Sequence, residues 1–229
     1  MKYFFLLLSC FYSDCSLAQI IRIPDSKFKQ HLISQGYDVN DDGQIQIAEA
    51  LKVKKLYIND LGIVNVEGIN SFINLEEFGC YNNRITSLDL SELTKLKFLF
   101  AGKNRIDYLN IANSVELVEL SIEGNYFIKE LDVSKFKKLQ SINFSDNQVL
   151  KFDASGLVNL VSVTADNNKL KSVNLLNVAG LRSISLRNNP LQPTVDIRGL
   201  THLEFLDFTG CNLLFLNFSG TVSLKKYYW

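Results

Sequence analysis

Histidine is nearly missing from this sequence. Two in 229 residues, His31 and His202, leave little for acid–base catalysis or a zinc site. An excess of charge is missing as well. The 24 basic and 24 acidic residues cancel, which argues against a dedicated nucleic-acid surface. Three prolines and 12 glycines exclude collagen-like and low-complexity chains. With 47% hydrophobic residues and no net charge, the chain is not disordered either. No apolar run approaches the ~20 residues that a membrane-spanning helix needs. What remains is a globular or repetitive protein of one or two domains.

The first eighteen residues stand apart. Met1-Lys2 is a minimal basic start, Tyr3 to Leu8 is apolar, and Ser16-Leu17-Ala18 places small residues where a signal peptidase reads. Residues 1–18 are therefore expected to be a secretory signal peptide, cut before Gln19. A membrane anchor is the alternative, but the apolar run is too short for one. Lipidation at Cys10 is another, with an even shorter apolar stretch before it. We expect the chain to be secreted or displayed at a cell surface.

From residue 53 the sequence repeats. The pattern L-x-x-L-x-L-x-x-N-x-L fits Leu75-Glu76-Glu77-Phe78-Gly79-Cys80-Tyr81-Asn82-Asn83-Arg84-Ile85, and again Leu96 to Ile106. It returns at Leu117 to Asn125, Leu139 to Asn147, Leu160 to Asn168 and Leu181 to Asn189. Degenerate copies begin at Val53, with Leu61 in the Asn slot, and at Leu203, with Cys211 there. First positions at 53, 75, 96, 117, 139, 160, 181 and 203 are 21 or 22 residues apart throughout. Such phase defines a leucine-rich repeat solenoid.

Each slot has a physical reason. The fourth and sixth residues alternate with polar neighbours, a period-two strand with one buried face. Stacked copies align these strands into a parallel sheet on the concave side of an arc. The Asn is expected to bond backbone groups of the following turn, which would cost roughly 1–3 kcal/mol each if buried unpaired. It is read as structural. Segments such as Leu88-Asp89-Leu90-Ser91 are too short for a long helix, so extended or 3₁₀ turns are expected on the convex side. The fold class is thus an α/β repeat solenoid with a small helical cap: residues 19–52 as the cap and 53–229 as eight copies plus the start of a ninth.

Cys80 and Cys211 are the two cysteines outside the leader. Six copies apart at ~4.8 Å per strand, they are too distant for a disulfide and are read as small buried core residues. Leu224 to Trp229 begins a ninth copy, and Trp229 falls in a core slot without cover. Terminal repeats need a polar cap, so we expect the natural product to continue, or that end to be covered; the chain is otherwise expected to be a monomer unless this end pairs.

The cap carries a metal motif. Asp25 to Gln35 reads as a short amphipathic helix with Phe28, Leu32 and Ile33 on one face and Gly36 as its stop. Next comes Asp38-Val39-Asn40-Asp41-Asp42-Gly43-Gln44-Ile45-Gln46-Ile47-Ala48-Glu49, which satisfies D-x-[DN]-x-[DN]-G-x₅-E. Asp38, Asn40 and Asp42 offer side-chain oxygens, Gln44 its carbonyl, Gln46 a place for water, and Glu49 a bidentate carboxylate. This oxygen set suits Ca2+, bound weakly, as single extracellular loops bind it. A polar turn without metal is the alternative, since the exit helix must be short and no second hand is present.

In each copy the third, fifth and seventh residues should face the concave side. Tyr57, Tyr81, Phe98 and Phe100 then gather near the amino end beside Glu77, Glu119 and Glu123, while the middle of the face is Ser, Thr and Asn. We take Tyr57, Tyr81, Phe98, Phe100 and Glu119 as candidate ligand contacts, because exposed aromatics are common interface anchors. The bland alternative is that strands favour aromatics in any case. No Ser–His–acid or Cys–His set exists, and nothing supplies a glycosidase pocket, so no catalysis is expected.

Residues Ile23-Pro24-Asp25-Ser26-Lys27-Phe28, the loop at 38–49, and repeats such as Leu75 to Asn83 with Leu88-Asp89-Leu90-Ser91 together resemble exported leucine-rich repeat proteins of Bacteroidota. The repeats are also similar to those of internalins. The resemblance spans the chain after the leader. It implies adhesion or surface recognition, with an extracellular protein or glycan as partner and no nucleic acid. Many such proteins carry a carboxyl-terminal sorting domain, which this sequence does not show.

Overall fold

The computed structural model describes residues 19–192 and 194–229; the signal peptide expected at 1–18 lies outside the described residues. Two short helices, α1 (Ser26–Ser34) and α2 (Ile47–Ala50), precede the repeats. Every copy then contributes one three-residue strand to a nine-stranded parallel sheet. In order these are β1 (Lys55–Tyr57), β2 (Glu77–Gly79), β4 (Phe98–Phe100), β6 (Glu119–Ser121) and β7 (Ser141–Asn143). They continue as β9 (Ser162–Thr164), β11 (Ser183–Ser185), β13 (Phe205–Asp207) and β15 (Lys226–Tyr228). The register is uniform: Leu56, Phe78, Leu99, Leu120, Ile142, Val163, Ile184 and Leu206 lie side by side. All eight are buried. The strand's central residue fills the core, and its two neighbours point outward.

The opposite side carries six shorter-range strands. They pair as β3 (Ser87–Asp89) with β5 (Tyr108–Asn110), β8 (Lys151–Asp153) with β10 (Ser172–Asn174), and β12 (Thr194–Asp196) with β14 (Phe215–Asn217). A 3₁₀ turn covers Ile69–Ser71. The expected extended and 3₁₀ character of the convex side is what the structure has, and the fold is a leucine-rich repeat solenoid.

The Asn slots explain why copies stack. Asn104 donates from Nδ2 to the carbonyls of Cys80, Ala101 and Gly102 at 2.9, 3.2 and 3.1 Å, and its Oδ1 accepts from Ile85 N–H at 3.1 Å. One carboxamide thus closes its own turn and bonds the preceding copy twice. Asn83, Asn125, Asn168 and Asn189 do the same. The residue before the slot is left-handed in each case: Asn82, Lys103, Gly124, Asp146, Asn167 and Asn188 all have positive φ. Five of the six are Gly, Asn or Asp, the residues that best tolerate this region; Lys103 is the exception.

Two departures matter. Cys211, expected to be buried, is only half-buried; its Sγ donates to Leu186 O at 3.1 Å, taking over the bond an Asn would make to the preceding copy. The convex row of strands breaks in the fourth copy, where residues 130–132 form no strand and two aromatics, Tyr126 and Phe127, stand where neighbours have one residue. Tyr126 has φ 65°. Its N–H reaches forward to Asp146 O, whereas Arg105 and Gln148, its counterparts, reach back to Ile85 and Ile128. The acceptor Oδ1 of buried Asn147 is consequently left without a partner.

The cap is bolted to the first copy. Asp25 is the N-cap of α1, its Oδ1 accepting from Lys27 N–H and Phe28 N–H, while Oδ2 accepts from Val64 and Asn65 N–H. Burial alone would push this carboxyl up, but the four amide donors more than offset it and hold it below the usual range. The outer edge of β1 is not left open: Tyr37 Oη donates to Lys55 O at 3.2 Å and His31 Nε2 bonds Tyr57 O at 2.9 Å. An uncovered edge would invite pairing with another chain.

Candidate functional sites

Tyr57, Tyr81, Phe98, Phe100 and Glu119 all face the concave side, as their positions require. Phe98 and Phe100 flank buried Leu99 on β4 and are each partly exposed. The register sets Phe98 between Glu77 and Glu119, and Phe100 between Gly79 and Ser121. Tyr57, 44% exposed, lies across the neighbouring strand: a Cβ at Gly79 would come within 2.6 Å of its Cδ1. The glycine is what lets the ring lie flat. Tyr57 Oη donates to Glu77, which also pairs with Lys55 at 2.5 Å. The Lys55 ammonium first, and the Tyr57 hydroxyl second, hold the Glu77 carboxyl below its usual range; that bond raises the Tyr57 phenol.

The candidates do not form one stacked cluster. Tyr81 is set apart, with Lys103 Nζ over its ring at 5.2 Å. The ring pairs among the described residues lie elsewhere: Phe144–Phe152 in the core, and Phe205–Tyr228 and Phe218–Tyr227 near the carboxyl end. Phe205 and Tyr228 are edge-on at 6.4 Å on the concave face, with Lys226 over Tyr228. They occupy a third and a fifth position in adjacent copies, and that recurrence is the sequence signal for the pair. Glu119 sits beside Phe98 with no ion pair among the described residues.

The loop at 38–49 has Asp38 and Glu49 buried, each 6% exposed. Asp38 accepts from Asp42 N–H at 3.2 Å and Gly43 N–H at 2.8 Å. Glu49 accepts from Val39 N–H at 2.6 Å and Gln46 N–H at 2.8 Å, tying the loop's two ends. Asp42 accepts from Gln44 N–H, Asn40 Nδ2 and Gln46 Nε2. Gln44 Oε1 is held by Lys29 at 2.7 Å, leaving its carbonyl for other use. Among the described residues the acidic side chains do not themselves converge three at a point; their oxygens are engaged with N–H donors instead. The set still fits a hard cation in kind. Two buried carboxylates here have no ion-pair partner among the described residues, and Gly43 at φ 76° makes the turn that brings their ends together.

One feature of the loop was not legible. Its central stretch pairs antiparallel with the chain's own Gln19–Ile21: Ile21 N–H donates to Ile45 O at 2.8 Å and Ile47 N–H to Gln19 O at 3.0 Å. His202 Nδ1, on a convex turn, meets Ala179 O at 3.0 Å, far in sequence from His31 in the cap. Among the described residues no helix is long and apolar enough to cross a membrane.

Compared with known structures, the chain is similar to internalin C2 of Listeria monocytogenes, with 21% identity over 93% of this chain and 96% of that one and a TM-score of 0.72. The similarity extends to the structure of a TLR13–ssRNA13 complex, at 20% identity and a TM-score of 0.50; it covers 72% of this chain and 30% of that one. The fold is therefore an internalin-like leucine-rich repeat array. In sequence, no protein-family model and no curated protein matches.

Proposed function

We propose that the protein is an exported binding module, secreted or held at a cell surface, that recognises an extracellular protein or glycan through the amino-end part of its concave face. The observation that carries this is the strip on β4 and its neighbours. Phe98 and Phe100 face the same side, Tyr57 lies flat across Gly79, and Glu77 and Glu119 flank the rings. Partly exposed aromatics held on a rigid sheet lose little entropy on binding, and such residues carry most of an interface's energy. TLR13, an array of similar fold, is seen with a single-stranded RNA, which is a precedent for a ligand on such a scaffold. In this reading the chain has no catalytic role. Binding to host cells, matrix proteins and glycan arrays is the test. Phe98→Ala/Phe100→Ala is expected to lower binding more than tenfold, about 2 kcal/mol or more, with an unchanged melting curve. Unchanged binding would instead favour a spacer that displays another domain.

The same reading gives the cap a calcium ion. Asp38, Asn40, Asp42, the Gln44 carbonyl and Glu49 would hold it, and it would supply the positive charge the two buried carboxylates lack. Its role is to stiffen the cap rather than to switch it. Calcium titration by calorimetry and thermal melting should give a saturable heat and a raised Tm, both lost in Asp38→Ala/Glu49→Gln. No heat and no shift at millimolar calcium would make the loop a plain turn.

A further inference from the structure

The two flanks of the solenoid treat their charges differently. On the flank that leads into the concave strands, carboxylates are shared between copies. Glu76 sits between Lys54 and Lys97, Glu204 between Arg182 and Lys225, and Glu116 pairs with Lys138. On the flank that follows the buried Asn residues, six exposed cations recur from the second copy to the sixth: Arg84, Arg105, Lys129, Lys151, Lys169 and Lys171. None of them is in an ion pair among the described residues. Asp107 and Glu130 are interspersed among them, Asp153 shares the outward face of β8 with Lys151, and Asp146 adjoins Tyr126. The backbone keeps this flank in register. Arg105 N–H bonds Ile85 O and Lys169 N–H bonds Val149 O, while Asp107 N–H bonds Thr86 O and Lys171 N–H bonds Leu150 O.

The irregular fourth copy lies at the middle of this row. Its extra residue puts Tyr126 and Phe127, 60% and 47% exposed, where the neighbours carry Arg105 and Gln148. They are fixed, not frayed: Tyr126 N–H donates to Asp146 O at 3.0 Å, and Gln148 Nε2 donates to Tyr126 O at 2.6 Å. The arrangement is kept despite a left-handed tyrosine and an unpartnered Asn147 oxygen. Bulky residues in that region, and buried acceptors without donors, are both costly.

We propose that this flank is a second binding surface, for an acidic polysaccharide lying along the array. Sugar faces would rest on Tyr126 and Phe127, and carboxylate or sulfate groups would meet the unpaired cations on either side. The spacing selects the occupant. Cations recurring once or twice per copy match a repeating polymer better than the irregular surface of a folded protein. A nucleic acid would call for a succession of stacking aromatics along the groove, and here there is one pair. The concave face carries Glu77, Glu119, Glu123, Asp166 and Asp207 against Lys55, Arg187 and Lys226, an acidic balance that disfavours the same ligand. This surface does not depend on the concave-face reading.

The probes are heparin, polygalacturonate, neutral dextran and a single-stranded oligonucleotide, each titrated against the full chain at low and physiological salt. Heparin or polygalacturonate should bind, more weakly as salt rises, and dextran should not. Arg84→Glu/Arg105→Glu, Lys169→Glu/Lys171→Glu and Tyr126→Ala/Phe127→Ala should each reduce the affinity at least tenfold while the circular-dichroism melt stays put. Phe98→Ala/Phe100→Ala should leave it unchanged, which separates this site from the concave one. Three results overturn the proposal: no binding of either acidic polysaccharide, binding indifferent to all three flank variants, or tighter binding of the oligonucleotide.

Discussion

The cap and the array face the same problem and solve it with different chemistry. Each must satisfy backbone groups buried at turns. The array uses a carboxamide, one Asn in each of six copies, that bonds both its own turn and the copy before it. The cap uses carboxylates: Asp25 takes four amide N–H groups, while Asp38 and Glu49 take two each. A neutral amide does not titrate, so the Asn bonds are indifferent to acid. The bonds that Asp25 accepts depend on its charge, as do those of the surface carboxylates Asp132, Asp153 and Glu204 along the array.

The largest expected effect tests the neutral half of that comparison. Asn104→Ala leaves Ile85 N–H buried without a partner and takes one donor from each of the Cys80 and Ala101 carbonyls, which Asn83 and Asn125 still serve. At roughly 1–3 kcal/mol for the orphaned group and about 1 kcal/mol for each further bond lost, denaturant melts should report a loss of about 3 kcal/mol. The loss relative to the parent should be the same in acid as at neutral pH; a loss that fades in acid would break the comparison. Asp25→Ala comes next, at about 2 kcal/mol, the upper end for a helix cap because the side chain also pins Val64 and Asn65. Its pH dependence has the opposite character. The folded-state pKa is depressed, so the contribution is complete above the unfolded carboxyl value of about 3.9. It is lost as pH falls through the lower folded value. Thermal melts of parent and variant should therefore converge in acid.

How much of this could be read beforehand follows from what is local. Leu75 to Ile85 announces its strand, core residues and Asn slot because a 21-residue period repeats the same local geometry. The α1 boundaries are legible from Asp25 and Gly36. Period two assigned Tyr57, Phe98 and Phe100 to the concave face correctly. What was illegible depends on approach in space. Nothing within residues 25–35 says that Asp25 also serves Val64, or that His31 covers Tyr57 O. That Tyr57 lies across the next strand depends on Gly79 beside it. The residues of the 38–49 loop were plain from spacing, but Gln19–Ile21 as its pairing partner was not. The 22-residue step at the fourth copy was visible as a number; its consequence, an inverted Tyr126 and a bereft Asn147, required the backbone.

That fourth copy gives a finer test within the array. Asn147 keeps its Nδ2 bonds to Ile122, Phe144 and Ser145 but has no donor at Oδ1. Asn147→Ala should therefore cost about 1 kcal/mol less than Asn104→Ala, the worth of one hydrogen bond. Equal losses in denaturant melts would mean that the acceptor side of the Asn contributes nothing, and that the ladder holds through its donors alone.

The smallest expected effect is the one that pKa alone would misjudge. Asp196 is held down to about 2, first by the side-chain bond from Arg198 and then by the Arg198 backbone N–H. The guanidinium meets both carboxylate oxygens, at 2.9 and 2.7 Å. By linkage, the pair's contribution would be complete above the ordinary carboxyl range and fade as pH falls toward 2. Yet both side chains are 62% exposed, where water and salt screen the attraction and ordering two side chains offsets it. Asp196→Asn removes the charge while its oxygen can still accept from Arg198 N–H. Its melting temperature should match the parent's within scatter, at any salt concentration. A measurable drop would mean that an exposed pair on the convex side relies on charge as partly buried Asp25 does, and that screening by solvent does not separate the two.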